Sequence, residues 1–387
     1  MERGMVKNRL SLMPPRSEQR GLTMVELMIA VVLGSILMIG VVQLFSGMRA
    51  AYQLNESMSR VQESGRFATQ LISDDLRTAG YQGPLSFDPR VCYFDHPSGD
   101  GLRGDCPDGN AAEPDPDDDR LRFIEDPLRG FEYSGDHDLG ELTPEPLDSL
   151  ASWGGNPSAV LDDDMIDELE GRVLPGSDIL VTRSLGGGSE FEAEPPPGGG
   201  SNLDIPGHDF GDDDLFVIQD ASGYIFVGPA NQVGDVNVTF PGQFDDSGCC
   251  SPPITATGAR DSAYFIGEGV DGEPALMQVD SSRTGGNVQV RELVGGIELM
   301  RLQYGVDEDE DGNVDRYETS DWVESNNAWE QVLAVRAAMV ARGGNRLEGV
   351  PQMDAIRVLG DDIPITDNRE FQRQVYSTTV RLRNIYL

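Results

Sequence analysis

Residues 20–45 read RGLTMVELMIAVVLGSILMIGVVQLF, and they decide the first half of the architecture. From Leu27 to Phe45 there are 19 residues without a charge. At about 1.5 Å per helical residue that run crosses a hydrocarbon core of ~30 Å. Arg3, Lys7, Arg9, Arg16 and Arg20 precede it against Glu2 and Glu18, so the amino terminus is expected in the cytoplasm and the bulk of the chain outside. A secretory signal peptide shares this polarity but ends in a small-residue cleavage site, and SGMRAAYQLNES after Phe45 has no clean A-x-A. Glu26 is the anomaly. A carboxylate carried into the bilayer costs about 2.5 to 3.5 kcal/mol on insertion scales, so such an acid is a functional candidate unless it snorkels to the interface.

The helical pattern does not stop at the membrane. Leu54, Met58, Val61, Ala68, Ile72 and Leu76 recur at helical spacing, with Phe67 and Leu71 widening the stripe. One helix is therefore predicted from about Met24 to Ala79, on the order of 80 Å long. Gly80 and Pro84 supply its stop, and Asp74 and Asp75 are assigned to its polar side. The glycines and serine at Gly34, Ser35, Gly40 and Gly47 permit close helix approach, although they are also ordinary membrane-helix composition.

The chain has 387 residues, 29 basic and 67 acidic, for a net charge of −38. That balance argues against direct nucleic-acid binding, which needs a basic surface. Lys7 is the only lysine. His96, His137 and His208 form no metal-spaced pair, and neither a G-x-S-x-G elbow nor a phosphate loop occurs, so no enzyme is expected. Cys92 and Cys106 are candidates for a short disulfide loop in an exported domain. Four cysteines allow three connectivities, and the adjacent Cys249 and Cys250 leave the pairing open.

Beyond Gly83, runs such as DPDDD (115–119), LDDDM (161–165), LGGGSE (185–190) and PPPGGG (195–200) read as solvated loops. Strands are predicted at 178–183, 215–219, 224–227, 263–266, 275–279, 288–293, 297–306, 333–342 and 375–384. LAVRAAMVAR at 333–342 suits a helix equally well. The fold class is α+β: a long amino-terminal helix packed on a mainly antiparallel sheet domain with long acidic loops. The segments expected are a leader at 1–21, a membrane part at 22–48, an amphipathic part at 49–80 and a β-rich domain at 81–387.

One loop has the spacing of a cation site. In Asp307-Glu-Asp309-Glu-Asp311-Gly312-Asn313-Val314-Asp315-Arg-Tyr-Glu318, oxygens fall at positions 1, 3, 5, 9 and 12, Asn313 offers its carbonyl at 7, and Gly312 permits the turn at 6. A calcium ion needs six to eight converging oxygens, and this pattern wraps a chain around one. The flanks are strand-like, so a solvated acidic hairpin is the alternative.

RG-LTMVELMIAVVLGSILM resembles the class III signal of type IV prepilins. The resemblance implies cleavage between Gly21 and Leu22 by prepilin peptidase, methylation of the new terminus, and Glu26 as mature residue five, paired with a neighbouring subunit's amine. Leu22 departs from the family's usual phenylalanine. SRVQESGRFATQLISDDLRTAGYQG, PGSDILVTR, ELVGGIELMRLQYGVDEDEDGNVDRYE and YSTTVRLRN further resemble PilW-type minor pilins. That resemblance implies a role in priming or capping a type IV pilus. The implied partners are other minor and major pilins, the inner-membrane assembly platform and, often, a large tip adhesin. The implied location is the inner membrane, then the pilus or cell surface. A type II secretion pseudopilin of the J kind and an uncleaved calcium-dependent adhesin are the competing readings. Residues 84–171 carry no motif.

Overall fold

The computed structural model describes residues 23–81, 90–94, 102–104, 126–139, 147–161, 163–185, 190–194, 200–208, 215–219, 224–229, 232–233, 237–244, 253–280, 288–346 and 352–384. They fall into two compact units, one ending at Gln53 and one beginning at Leu54. Helix α1 (Met24–Thr78) contributes to both.

In the first unit all the described side chains of α1 are exposed, large apolar ones included. From Leu54 onward the helix becomes part of a core. Ser57, Val61, Gly65, Ala68, Ile72, Ser73 and Leu76 are buried, at the spacing of one helical face. Met58 and Phe67, expected on that face, are instead 39% and 52% exposed. Serine and glycine stand in their place because backbone and sheet approach too closely for larger groups. A Cβ on Gly65 would lie 2.1 Å from the Tyr376 ring, and one on Gly343 would lie 1.9 Å from Ser57 Oγ. The helix ends as predicted, with Gly80 left-handed at φ +72° and its N–H on the Arg183 carbonyl at 2.8 Å.

The strands run in chain order as β1 (Arg90–Phe94), β2 (Leu102–Gly104), β3 (Leu128–Phe131), β4 (Ile179–Leu185), β5 (Phe191–Ala193), β6 (Gly200–Asp204), β7 (Leu215–Gln219), β8 (Tyr224–Pro229), β9 (Gln232–Val233) and β10 (Asn237–Phe244). They continue as β11 (Ile254–Glu268), β12 (Pro274–Asp280), β13 (Gln289–Gly295), β14 (Ile297–Val306), β15 (Arg316–Glu318), β16 (Val332–Arg346), β17 (Ala355–Val358), β18 (Asp361–Pro364) and β19 (Phe371–Arg381). A ten-stranded sheet is organised around β11, and a four-stranded sheet has the order β15-β14-β16-β19. Pairing is antiparallel except that β1 lies parallel to β8. The class is α+β, as expected.

The ambiguous 333–342 run is the central strand β16, and its alanines have a packing reason. Ala337, Met339 and Ala341 face the core shared with α1, while Ala338 and Val340 face a second core under the β17–β18 hairpin. Where a strand is covered on both faces its residues are largely apolar, and the alanines let the neighbouring layers approach closely. A third core lies on the large sheet. Ala263 and Phe265 of β11 pack there with Phe131, Leu150, Trp153, Met165 and Leu169, all from the stretch that carried no motif. The LDDDM run, expected as a loop, opens a helix at Asp163–Leu169. Two aspartates in a first turn complement the helix dipole, and Met165 and Leu169 are buried beneath them.

Candidate functional site

At the amino-terminal end, Gly21 and Leu22 lie outside the described residues, and Glu26 sits exposed in the first turn of α1. Its N–H donates to Thr23 Oγ1 at 3.3 Å, and the Leu27 N–H donates to the Thr23 carbonyl at 3.1 Å. Thr23-x-x-Glu26 thus has the spacing of a capping box, in which the acid is compatible with the positive end of the helix. The start of the helix is fixed one turn before the long apolar run.

At the other end of α1 the structure corrects the sequence reading. Asp74 is exposed and paired with Arg77 at 2.8 Å, whereas Asp75 is turned inward with its side chain 9% exposed. Arg260 Nη1 of β11 lies 3.2 Å from Asp75 Oδ1, and the Thr182 hydroxyl of β4 donates to Oδ2. An acid in the last turns of a helix opposes the dipole, and that local mismatch is the signal that could have flagged Asp75. Asn384, beyond β19, donates its side-chain amide to the carbonyls of Arg77 and Ala79 at 3.1 and 3.3 Å, satisfying groups that a helix end leaves open.

The acidic loop connects β14 to β15 as a hairpin. Asp307, Asp309 and Asp315 place carboxylate oxygens within 4.8 Å of one another. Asp307 is 5% exposed and accepts the Asp311 and Gly312 N–H groups at 3.2 and 2.8 Å. Asp311 turns its carboxylate to the Asn313 N–H at 2.8 Å, and Asp315 accepts the Glu308 N–H at 2.8 Å. Glu318 lies in β15, opposite Tyr304, with Arg316 Nε at 3.4 Å. Gly312 adopts φ +82°, and its carbonyl accepts Arg381 Nη2 of β19 at 2.9 Å. Asp311 above all, with Asp315 and Asp307, holds the exposed Asp309 carboxyl above the usual carboxylate range. Three carboxylates converging so that one of them, Asp309, is held toward its protonated form make an arrangement that a hard cation would relieve.

Cys92 stands in β1 opposite Gly104 of β2, and Cys106 lies outside the described residues, as do Cys249 and Cys250. A buried charge network also escaped the sequence reading. Arg301 of β14 lies 3.2 Å from Asp178 and 2.9 Å from Glu132, and it contacts the His137 ring, whose Nδ1 is 2.6 Å from the Gly176 carbonyl. That last contact calls for a proton on Nδ1. Burial pushes Asp178 up to about 7 against the pull of Arg301, while burial and Arg301 together lower His137. The partners are distant in sequence, so no local pattern announces them.

Helix α1 thus opens with an acid in its capped first turn, runs through 19 uncharged, exposed residues long and apolar enough to cross a membrane, and continues into a β-rich domain that buries its far half. A family model for the prokaryotic N-terminal methylation motif matches residues 16–42, and one for type IV pilus-assembly protein W matches residues 263–384. The second match spans β14, the acidic loop, β16 and β19, which build the sheet under α1. No curated protein and no solved structure matches the chain. The carboxy-terminal third of the chain is thus similar to PilW-type minor pilins and its amino terminus to the prepilin methylation motif, and the two matches support a role in type IV pilus assembly, with the amino-terminal helix as an inner-membrane anchor. The family's role is structural.

Proposed function

We propose that the leader is removed between Gly21 and Leu22 by prepilin peptidase, that Leu22 is N-methylated, and that the mature helix then enters a pilus initiation or tip complex. The carrying observation is Glu26, exposed at the head of a helix whose next 19 residues bear no charge. An acid at that depth is stabilised by a partner cation, and the amine of a neighbouring mature subunit has the charge and the position to supply it. The basic residues before Gly21 favour a cytoplasmic amino terminus and a periplasmic domain. Other minor and major pilins, the assembly platform and a large tip adhesin are the partners this reading implies. Mass spectrometry of the amino terminus tests it: N-methylated Leu22 is expected in the wild type and uncut chain in Gly21→Leu. Intact Met1 in cells that assemble pili would overturn it.

The convergence of Asp307, Asp309 and Asp315 favours a second reading, that the β14–β15 loop takes calcium. With no paired site beside it, the affinity belongs in the extracellular range, about 10⁻⁴ to 10⁻³ M. The hairpin that would hold the ion is tied to β19 by the hydrogen bond from Arg381 to the Gly312 carbonyl.

A further inference from the structure

We infer that Asp75 is a positioning residue for assembly: it sets the place at which the domain is held along the last turns of α1, and pilus assembly depends on that clasp. The inference rests on the pilin reading above. The contacts of Val61, Ala68 and Ile72 with the sheet hold the helix, but apolar contacts are non-directional and tolerate sliding. The Asp75 contacts do not. Its two oxygens are divided between Arg260 on β11 and Thr182 on β4, and Tyr264, four residues along β11 from Arg260 on the same face, feels the same carboxylate. Burial and Asp75 push the Tyr264 phenol well up, so it stays protonated and donates, while its oxygen accepts Gln278 Nε2 at 2.9 Å.

These groups share one face of the large sheet. Register pairs Thr182 with Ser262, and Tyr264 with both Leu180 and Gln278, so alternate residues of β4, β11 and β12 point the same way. The strip is polar although Leu180, Ile266 and Leu276 beside it belong to the core that receives α1. A polar strip under a helix is costly unless its groups are paired. Within the sheet Gln278 bonds Ser262 and Tyr264 and Asp280 lies 3.7 Å from Arg260, and from the helix Asp75 pairs Arg260 and Thr182, placed against the local preference of a helix end. A directional pair of this kind fixes register where apolar contact alone would not.

The test uses the full chain, purified in detergent and expressed in a strain lacking its own copy. Asp75→Ala is expected to make the amides from Leu76 to Gly80 exchange at least about tenfold faster while β14 amides keep their protection. Surface pili are expected to fall to the count of the deletion strain at normal protein level. Because Asp280 also lies 3.7 Å from Arg260, a reciprocal swap would set two acids together, and the charge-keeping Asp75→Glu is the variant expected to retain more of both than Asp75→Ala. If Asp75→Ala does not fold, Asp75→Asn, which keeps the shape and the Thr182 contact, carries the comparison. Unchanged exchange at 76–80, or an opened helix end with wild-type piliation, overturns the inference. A deletion strain with normal pili would instead overturn the pilin reading, and the exchange data alone would then judge the clasp.

Discussion

Asn384 closes the end of α1: its side-chain amide donates to the carbonyls of Arg77 and Ala79, so the residues after the last strand cap the first helix. Asn384→Ala removes two bonds from helix-end carbonyls. A loss of about 1 kcal/mol is expected, seen as a lower thermal midpoint, with Asn384→Asp failing to rescue because a carboxylate cannot donate. An unchanged midpoint would show that water serves those carbonyls equally well.

Gly65 is where α1 meets the Tyr376 ring, and an added Cβ would sit 2.1 Å from it. Gly65→Ala is therefore expected to destabilise by about 1–3 kcal/mol despite alanine's better helix propensity. Denaturant unfolding of Gly65→Ala beside Gly65→Ala/Tyr376→Ala separates clash from propensity, because the clash disappears in the second protein.

Glu26→Ala keeps the Gly21–Leu22 bond and the Thr23 cap but removes the charge. Cleavage at the wild-type rate is expected, with incorporation into pili reduced at least about tenfold, the factor that ~1.4 kcal/mol of lost pairing represents. Immunoblots of cell and sheared-pilus fractions read both. Normal incorporation would leave Glu26 as a residue that only reaches the interface.

Calcium at several times its dissociation constant is expected to raise the melting temperature of the wild type, tenfold excess being worth about 1.4 kcal/mol. Asp309→Asn should abolish the rise, since Asp309 belongs to the converging trio and is exposed, so its loss leaves no buried gap. Equal calcium response in both proteins would remove the site.

The network around Arg301 gives opposed pH dependences. Asp178 has its folded pKa raised from 3.8 to about 7, so the stability its proton supplies is full below 3.8 and lost as pH rises through about 7. His137 has its pKa lowered from 6.5, so its contribution is present above 6.5 and lost as pH falls. Wild type should lose stability relative to Asp178→Asn as pH rises across that window, and relative to His137→Gln as pH falls below 6.5. Parallel curves would mean that neither group changes its protonation.

Much of this protein was determined by sequence alone because local physics suffices for it. A run of 19 uncharged residues, a helical apolar stripe continuing past it, Gly80 at its end and strands of alternating or β-branched residues need no distant partner to be recognised. The extended run at 297–306 and the glycine-bearing acidic loop after it were likewise legible. What only the tertiary structure decided concerns residues whose meaning depends on something remote. Asp75 read as a solvated acid until Arg260 and Thr182 stood beneath it, and Met58 and Phe67 read as core until the closeness of Tyr376 and Gly343 required serine and glycine instead. Ala337 to Ala341 could be helix or strand until both faces of β16 were covered. Trp153, Met165 and Leu169 share their core with Ile179 and Val181 of β4 and with Ala263 and Phe265 of β11, the last two more than 90 residues later, and periodicity carries no information about partners in other strands.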